Sequence, residues 1–242
     1  MGLFSKKEKA PFQGALFDFG GTLVESDRWY CHAWRALLAR RGLRHQDYDP
    51  AWHEGMMGVG YVLPVMERFG IRESAEAFAE EWRQEADALI RSRASLTPGA
   101  KRLLKDVRGL GVRTAIVTSF TTATMQYLLD RLKIRGYIGL VITSDWLIEN
   151  HLRGKPAPDP YVAASHHLGV PAGRCIAFED TPIGIISARM AGCRSVVGVV
   201  NRDYGFMDKR SYRKRVLLNA SGATLTLPSF EGFRIRECFG SL

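Results

Sequence analysis

The chain has 242 residues, 46% of them hydrophobic and 24% charged, with a net charge of +9. That is the composition of a globular protein with a full core, and it excludes collagen-like, low-complexity and disordered classes. No run approaches the roughly 18 apolar residues of a membrane span, and Cys31, Cys175, Cys193 and Cys238 form no CxxC pair, so neither a zinc site nor a disulfide framework is expected.

In chain order, residues 1–13 read as a loose basic tail. Its start, MGLFSKKEK, lacks the long apolar stretch of a signal peptide and misses the myristoylation pattern, which wants Ser or Thr where Lys6 stands. A cytoplasmic location is expected. Gly14 to Gly21 is a short buried strand ended by a glycine turn. Residues 27–95 then hold no strand-like run and read as three helices, Arg28 to Arg40, Val62 to Phe69 and Glu73 to Arg91. Trp29, Tyr30, Trp34, Leu37 and Leu38 share helical spacing in the first, which points to packing within this insert. From Pro98 onward helices and strands alternate. The predicted helices are Pro98 to Leu110, Thr121 to Leu132, Asp159 to Leu168 and Pro182 to Ala191, several opened by Pro or Thr and closed by Gly. Predicted strands begin at Arg113, Gly139, Arg174 and Arg194. This alternation implies an α/β fold, a Rossmann-like parallel sheet core of residues 14–26 and 96–242, with residues 27–95 inserted as an α-helical cap. The basic cluster KRSYRKR, Lys209 to Arg215, reads as a solvated helix face, and no nucleic-acid partner is expected.

In parallel sheets ligands gather at the carboxyl ends of the strands, and polar residues stand there. Asp18 ends the first strand, Thr118 and Ser119 the second, Glu179 and Asp180 a later one, and Lys155 lies in a loop that precedes a helix. Together they suit phosphoryl transfer: a carboxylate attacks phosphorus while a hard cation, a lysine and hydroxyls neutralise the equatorial oxygens. Asp18 would serve as nucleophile and metal ligand, with Asp180 and Glu179 completing an oxygen site suited to Mg²⁺. Lys155 would hold nucleophile and phosphate, and Thr118 with nearby backbone N–H groups would bind a phosphate oxygen.

Four segments, DFGGTLVES from Asp18, VTSF around Thr118, KPAPDP from Lys155 and FEDTPIGIISARMAG from Phe178, resemble the four ordered motifs of the haloacid dehalogenase superfamily, in its helical-cap branch of phosphatases and β-phosphoglucomutase-like proteins. The likeness runs from about Gly14 to Leu227. It implies Mg²⁺-dependent hydrolysis of a small phosphate monoester, with a small phosphorylated metabolite as partner and an aspartyl-phosphate on Asp18. Asp18, Thr118 and Lys155 would be catalytic; Gly21, Thr22 and Ser119 would bind phosphate; Asp18, the Gly20 carbonyl, Glu179 and Asp180 would hold the metal. In the loop EGMMGVGY, Gly58 and Tyr61 would face substrate, Tyr61 standing where β-phosphoglucomutase-like members often carry an arginine. That weakens a sugar-phosphate mutase reading, although Arg68 or Arg72 could compensate.

One departure matters more. Family phosphatases carry an acid–base aspartate two residues after the nucleophile, and here that residue is Gly20. A phosphonoacetaldehyde hydrolase would need a cap lysine, yet none occurs between Lys9 and Lys101; a dehalogenase would not use the acidic pair Glu179 and Asp180. Glu25, Asp27, His32 and His53 are the residues considered as replacements for the missing group. The alternative is a degenerate protein that binds a phosphorylated ligand or partner without turnover.

Overall fold

The computed structural model describes residues 11–47, 61–200 and 209–239. Six strands, β1 (Gly14–Phe17), β4 (Arg113–Val117), β5 (Leu140–Ile142), β6 (Cys175–Glu179), β7 (Ser195–Val199) and β8 (Leu225–Leu227), form one sheet in the order β5-β4-β1-β6-β7-β8. Every pair is parallel. The two remaining strands, β2 (Val24–Glu25) and β3 (Ser95–Leu96), pair antiparallel as a two-residue ribbon. The two-residue strands of the ribbon are too short to show a strand pattern in the sequence, and in β8 Thr226 interrupts the apolar run.

Alternation along the central strands sends side chains to both faces of the sheet. Ala15, Phe17, Ile116, Phe178 and Val197 meet Leu103, Leu104 and Val107 of α4 (Ala100–Gly109) and Met125, Leu128 and Leu129 of α5 (Thr122–Arg131) on one face. Leu16, Ala115, Ala177 and Val196 meet α7 (Asp159–His167), α8 (Pro182–Met190) and Leu218 of α9 (Lys209–Ala220) on the other. A short helix not foreseen in the sequence, α6 (Ser144–Glu149), follows β5. Threonines start the crossover helices: Thr121, Thr143 and Thr181 each accept from the backbone N–H three residues on, which satisfies an otherwise orphaned donor.

Between β2 and β3 lie α1 (Asp27–Arg40), α2 (Leu63–Phe69) and α3 (Ala75–Arg93), the inserted helical cap. α3 starts two residues after the expected Glu73, because Ser74 caps it by accepting from Ala77 N. The cap has its own core, in which Trp34, Leu37 and Leu38 pack on Val62, Val65 and Phe78. Trp29 and Tyr30 also lie against the main core beneath, while Tyr30 keeps its expected cap packing by stacking on Trp82 of α3 with ring centroids 5.4 Å apart. No helix among the described residues is long and apolar enough to cross a membrane.

Candidate active site

With the strands taken in chain order, the sheet reads third, second, first, fourth, fifth and sixth, so the order in which strands are added reverses between β1 and β6 while both stay parallel. A crevice forms at such a switch point, outside the carboxyl ends. Asp18 follows β1 and Glu179 ends β6, so the fold sets these carboxylates side by side; the Asp18 N–H donates to Phe178 O at 2.9 Å. Asp18, Glu179 and Asp180 are all buried, and each offers an oxygen within 4.8 Å of the others'.

Lys155 is the hub of the site. Its ammonium lies 2.7 Å from Asp18 Oδ1 and 2.5 Å from Glu179 Oε1, and donates to Val117 O at 3.1 Å. Burial alone would pull this lysine toward its neutral form, but Asp18 and Glu179 overcome that and hold its pKa above the ordinary value. Glu179 is further fixed by Tyr161, whose hydroxyl donates at 2.7 Å, and by Thr181, whose hydroxyl donates at 3.2 Å. Burial and then the Glu179 charge raise the Tyr161 pKa, so the phenol stays a donor.

Asp18 keeps one oxygen free. Oδ1 takes the lysine, while Oδ2 is buried without a hydrogen-bond partner. Burial pushes the Asp18 carboxyl well above the usual range despite Lys155. Burial likewise pushes Asp180 up to about 7, against the pull of Lys214. Added positive charge would lower both again. Asp180 Oδ1 accepts from Thr22 Oγ1 at 3.2 Å, and its Oδ2 lies 3.1 Å from Lys214 Nζ. Four carboxylates, Asp18, Asp27, Glu179 and Asp180, thus face two ammonium groups. The all-oxygen donor set of Asp18, Glu179 and Asp180 and this excess of negative charge fit a hard divalent cation.

Thr118 is buried and its hydroxyl accepts from Phe120 N at 3.2 Å, while Ser119 is exposed beside it. Thr118, Ser119 and Lys155 border a cavity of about 250 Å³ whose other walls include Leu147, Leu152 and Pro160. Gly21 holds a left-handed φ of +79°, and a Cβ there would overlap the Asp180 carboxyl. Glycine is therefore needed at 21 both for the turn and for the close approach. Tyr61 is engaged inside the cap: its hydroxyl donates to Ala79 O at 3.4 Å, and its ring meets those of Trp34 and Trp82. Gly58 and His53 lie outside the described residues. Glu25 pairs with Arg28 at 3.4 Å, and His32 stacks on Trp29. Three contributors were not singled out in the sequence: Tyr161, Thr181 and Lys214. Thr181 adjoins Asp180 in the fourth motif and was within reach, whereas Tyr161 and Lys214 carry no local signal.

A model of the haloacid dehalogenase-like hydrolase family matches residues 12–192, about three quarters of the chain. The chain belongs to the haloacid dehalogenase-like hydrolases. It is 31% identical over 187 residues to hexitol phosphatase A of Escherichia coli, covering 76% of this chain and 82% of that one. It is 27% identical over 192 residues to a phosphorylated carbohydrates phosphatase of Thermotoga maritima, covering 78% and 86%. Among solved structures, a HAD family hydrolase from Deinococcus radiodurans with bound phosphate and sodium superposes with a TM-score of 0.74 at 25% identity, covering 96% of this chain and 98% of that one.

Proposed function

We propose that this protein cleaves a small phosphate monoester, a sugar or polyol phosphate, through an aspartyl-phosphate on Asp18. The observation that carries the reading is the asymmetric Asp18 carboxylate. Lys155 fixes it through Oδ1, and Oδ2 is buried with no hydrogen-bond partner, an oriented lone pair available to a phosphorus atom. Lys155 then neutralises charge on the phosphoryl oxygens, and Thr118 and Ser119, which border one cavity with Lys155, would bind them. Asp18, Glu179, Asp180 and the Gly20 carbonyl would hold Mg²⁺, which supplies Lewis-acid stabilisation of the transferring group. Hexitol phosphatase A and the phosphorylated carbohydrates phosphatase support the substrate class.

The cap, joined to the core through the β2–β3 ribbon, would close over the site and exclude water. Gly20 favours a second reading, in which the site binds a phosphorylated ligand without efficient turnover. A mutase reading has no observation of its own. The test is a panel of sugar and polyol phosphates with Mg²⁺, run beside an Asp18→Asn variant. Turnover that the substitution abolishes supports the phosphatase. Magnesium-dependent phosphate binding with no turnover on any ester supports the binding protein instead.

A further inference from the structure

Lys214 reaches the site from α9, far from the four motifs. Its ammonium lies 3.1 Å from Asp180 Oδ2 and 3.6 Å from Asp27 Oδ2, and its side chain is only 20% exposed. Asp180 belongs to the acidic group, whereas Asp27 is the first residue of α1 and so of the cap. The lysine therefore bridges three parts of the chain: α9, the carboxylate after β6, and the hinge end of the cap. A lysine here does not complete the Asp180 hydrogen bonding in a neutral way. It brings a full positive charge to a carboxylate whose other oxygen already accepts from Thr22, so no oxygen of Asp180 is left without a donor.

We propose that Lys214 is a tethered counter-cation that competes with the divalent metal for Asp180 Oδ2, and that metal loading drives its ammonium onto Asp27. The inference rests on the metal site proposed above. Two cations cannot share one carboxylate oxygen at contact distance without strong repulsion, and water screens poorly at a buried group. Tethering gives the ammonium a high effective concentration, so a free ion must outcompete a group that never diffuses away. Asp27 supplies the second seat. The lysine is already within 3.6 Å of it, so a rotation about its flexible stem suffices and no buried charge is stranded. Coupling of this kind is reciprocal: whatever Lys214 costs the metal, the metal costs the contact between α9 and Asp180. Metal occupancy is thereby communicated to α9 and to the first turn of the cap.

The experiment uses the full chain and Mn²⁺ alone. Binding is followed by electron paramagnetic resonance in the parent, in Lys214→Met and in Lys214→Arg, at fixed ionic strength. Lys214→Met is expected to bind Mn²⁺ on the order of ten-fold more tightly, within the range usual for coupled sites, and Lys214→Arg to stay near the parent. Equal or weaker binding by Lys214→Met overturns the proposal. Weaker binding would show that the lysine orients Asp180 for the metal. Hydrogen exchange on the parent gives a readout that needs no variant: Mn²⁺ should speed exchange across 209–220, and unchanged exchange there overturns the proposal even if Lys214→Met does not fold. Absence of Mn²⁺ binding in all three proteins overturns the metal site itself, which separates that failure from failure of the lysine's role.

Discussion

Glu179 leaves no room for a side chain on Gly184: a Cβ on that glycine would overlap the Glu179 carboxyl group. The carboxylate cannot simply turn aside, because Lys155, Tyr161 and Thr181 hold both its oxygens. The first turn of α8 is therefore shaped around an acid that itself positions the lysine on Asp18. Gly184→Ala should destabilise the protein by about 1–3 kcal/mol, the usual cost of overpacking, and weaken phosphate binding with it. Urea unfolding and phosphate titration measure the two effects. A variant as stable as the parent would mean that Glu179 is not held as tightly as its bonds suggest.

Lys155 supports a different expectation, in which stability and chemistry fall together. Its removal leaves Asp18 and Glu179 buried without their shared cation. Breaking a buried pair by deleting one partner typically costs about 3–5 kcal/mol, because the stranded charge keeps its desolvation penalty. Lys155→Met should show that loss in urea at neutral pH, along with loss of phosphate binding. Unaltered unfolding would show that the carboxylates shed the penalty by taking up protons.

What the sequence disclosed, and what it hid, follows from how each signal is carried. Long apolar runs ending in polar residues marked β1, β4, β5, β6 and β7, and the strand-end positions of Asp18, Thr118, Glu179 and Asp180 pointed to one crevice. β8 escaped because Thr226 interrupts its apolar run, and α6 because six residues are too few for a helical period to show. Tyr161 looks from the sequence like any aromatic on the inner face of a helix, and only the β6 carboxylate above it turns it into a donor. Lys214 lies within KRSYRKR, where the neighbouring charges suggest solvent. The folding of α9 against β7 and β8 is what carries it inward, and that is a property of topology.

Outside the site, Asp145 provides a check by pH. This acid in the first turn of α6 accepts from Thr122 N at 3.0 Å and from Thr122 Oγ1 at 2.9 Å, tying α6 to the start of α5. Burial works to raise its pKa, but the bonds from Thr143 and Thr122 prevail and lower it from 3.8 to about 2. A pKa lower in the folded state than in the unfolded one means that folding favours the carboxylate. Its contribution is therefore complete above about pH 4 and disappears as the pH falls through about 2. Because the group is partly solvated, Asp145→Asn should cost only about 1 kcal/mol near pH 6, with parent and variant converging toward pH 2. Stability curves that stay parallel across that range would remove Asp145 as the cause.

Gly20 stands where family phosphatases place an acid–base aspartate. A side chain is compatible with the backbone there, since the left-handed φ of this turn belongs to Gly21 and not to Gly20. A Cβ on Gly20 would lie 3.1 Å from Phe120 Cζ and 3.1 Å from Ser26 Oγ, so the edge of one ring and one hydroxyl must give by a few tenths of an ångström. The hydroxyl has reason to do so. Ser26 Oγ is buried without a hydrogen-bond partner, and a carboxylate at position 20 would give it an acceptor. Gly20→Asp should therefore fold with little loss of stability and place a proton donor next to the nucleophile. A positioned acid–base group is typically worth ~10²–10⁴-fold, and turnover of p-nitrophenyl phosphate should rise toward that range. Gly20→Asn, with nearly the same shape but no transferable proton, should leave turnover at the parent level. A gain shared by both variants would trace the effect to packing against Phe120. A stable Gly20→Asp variant no faster than the parent would instead show that another group already moves the proton, with Asp27, which shares Lys214 with Asp180, the first acid to test.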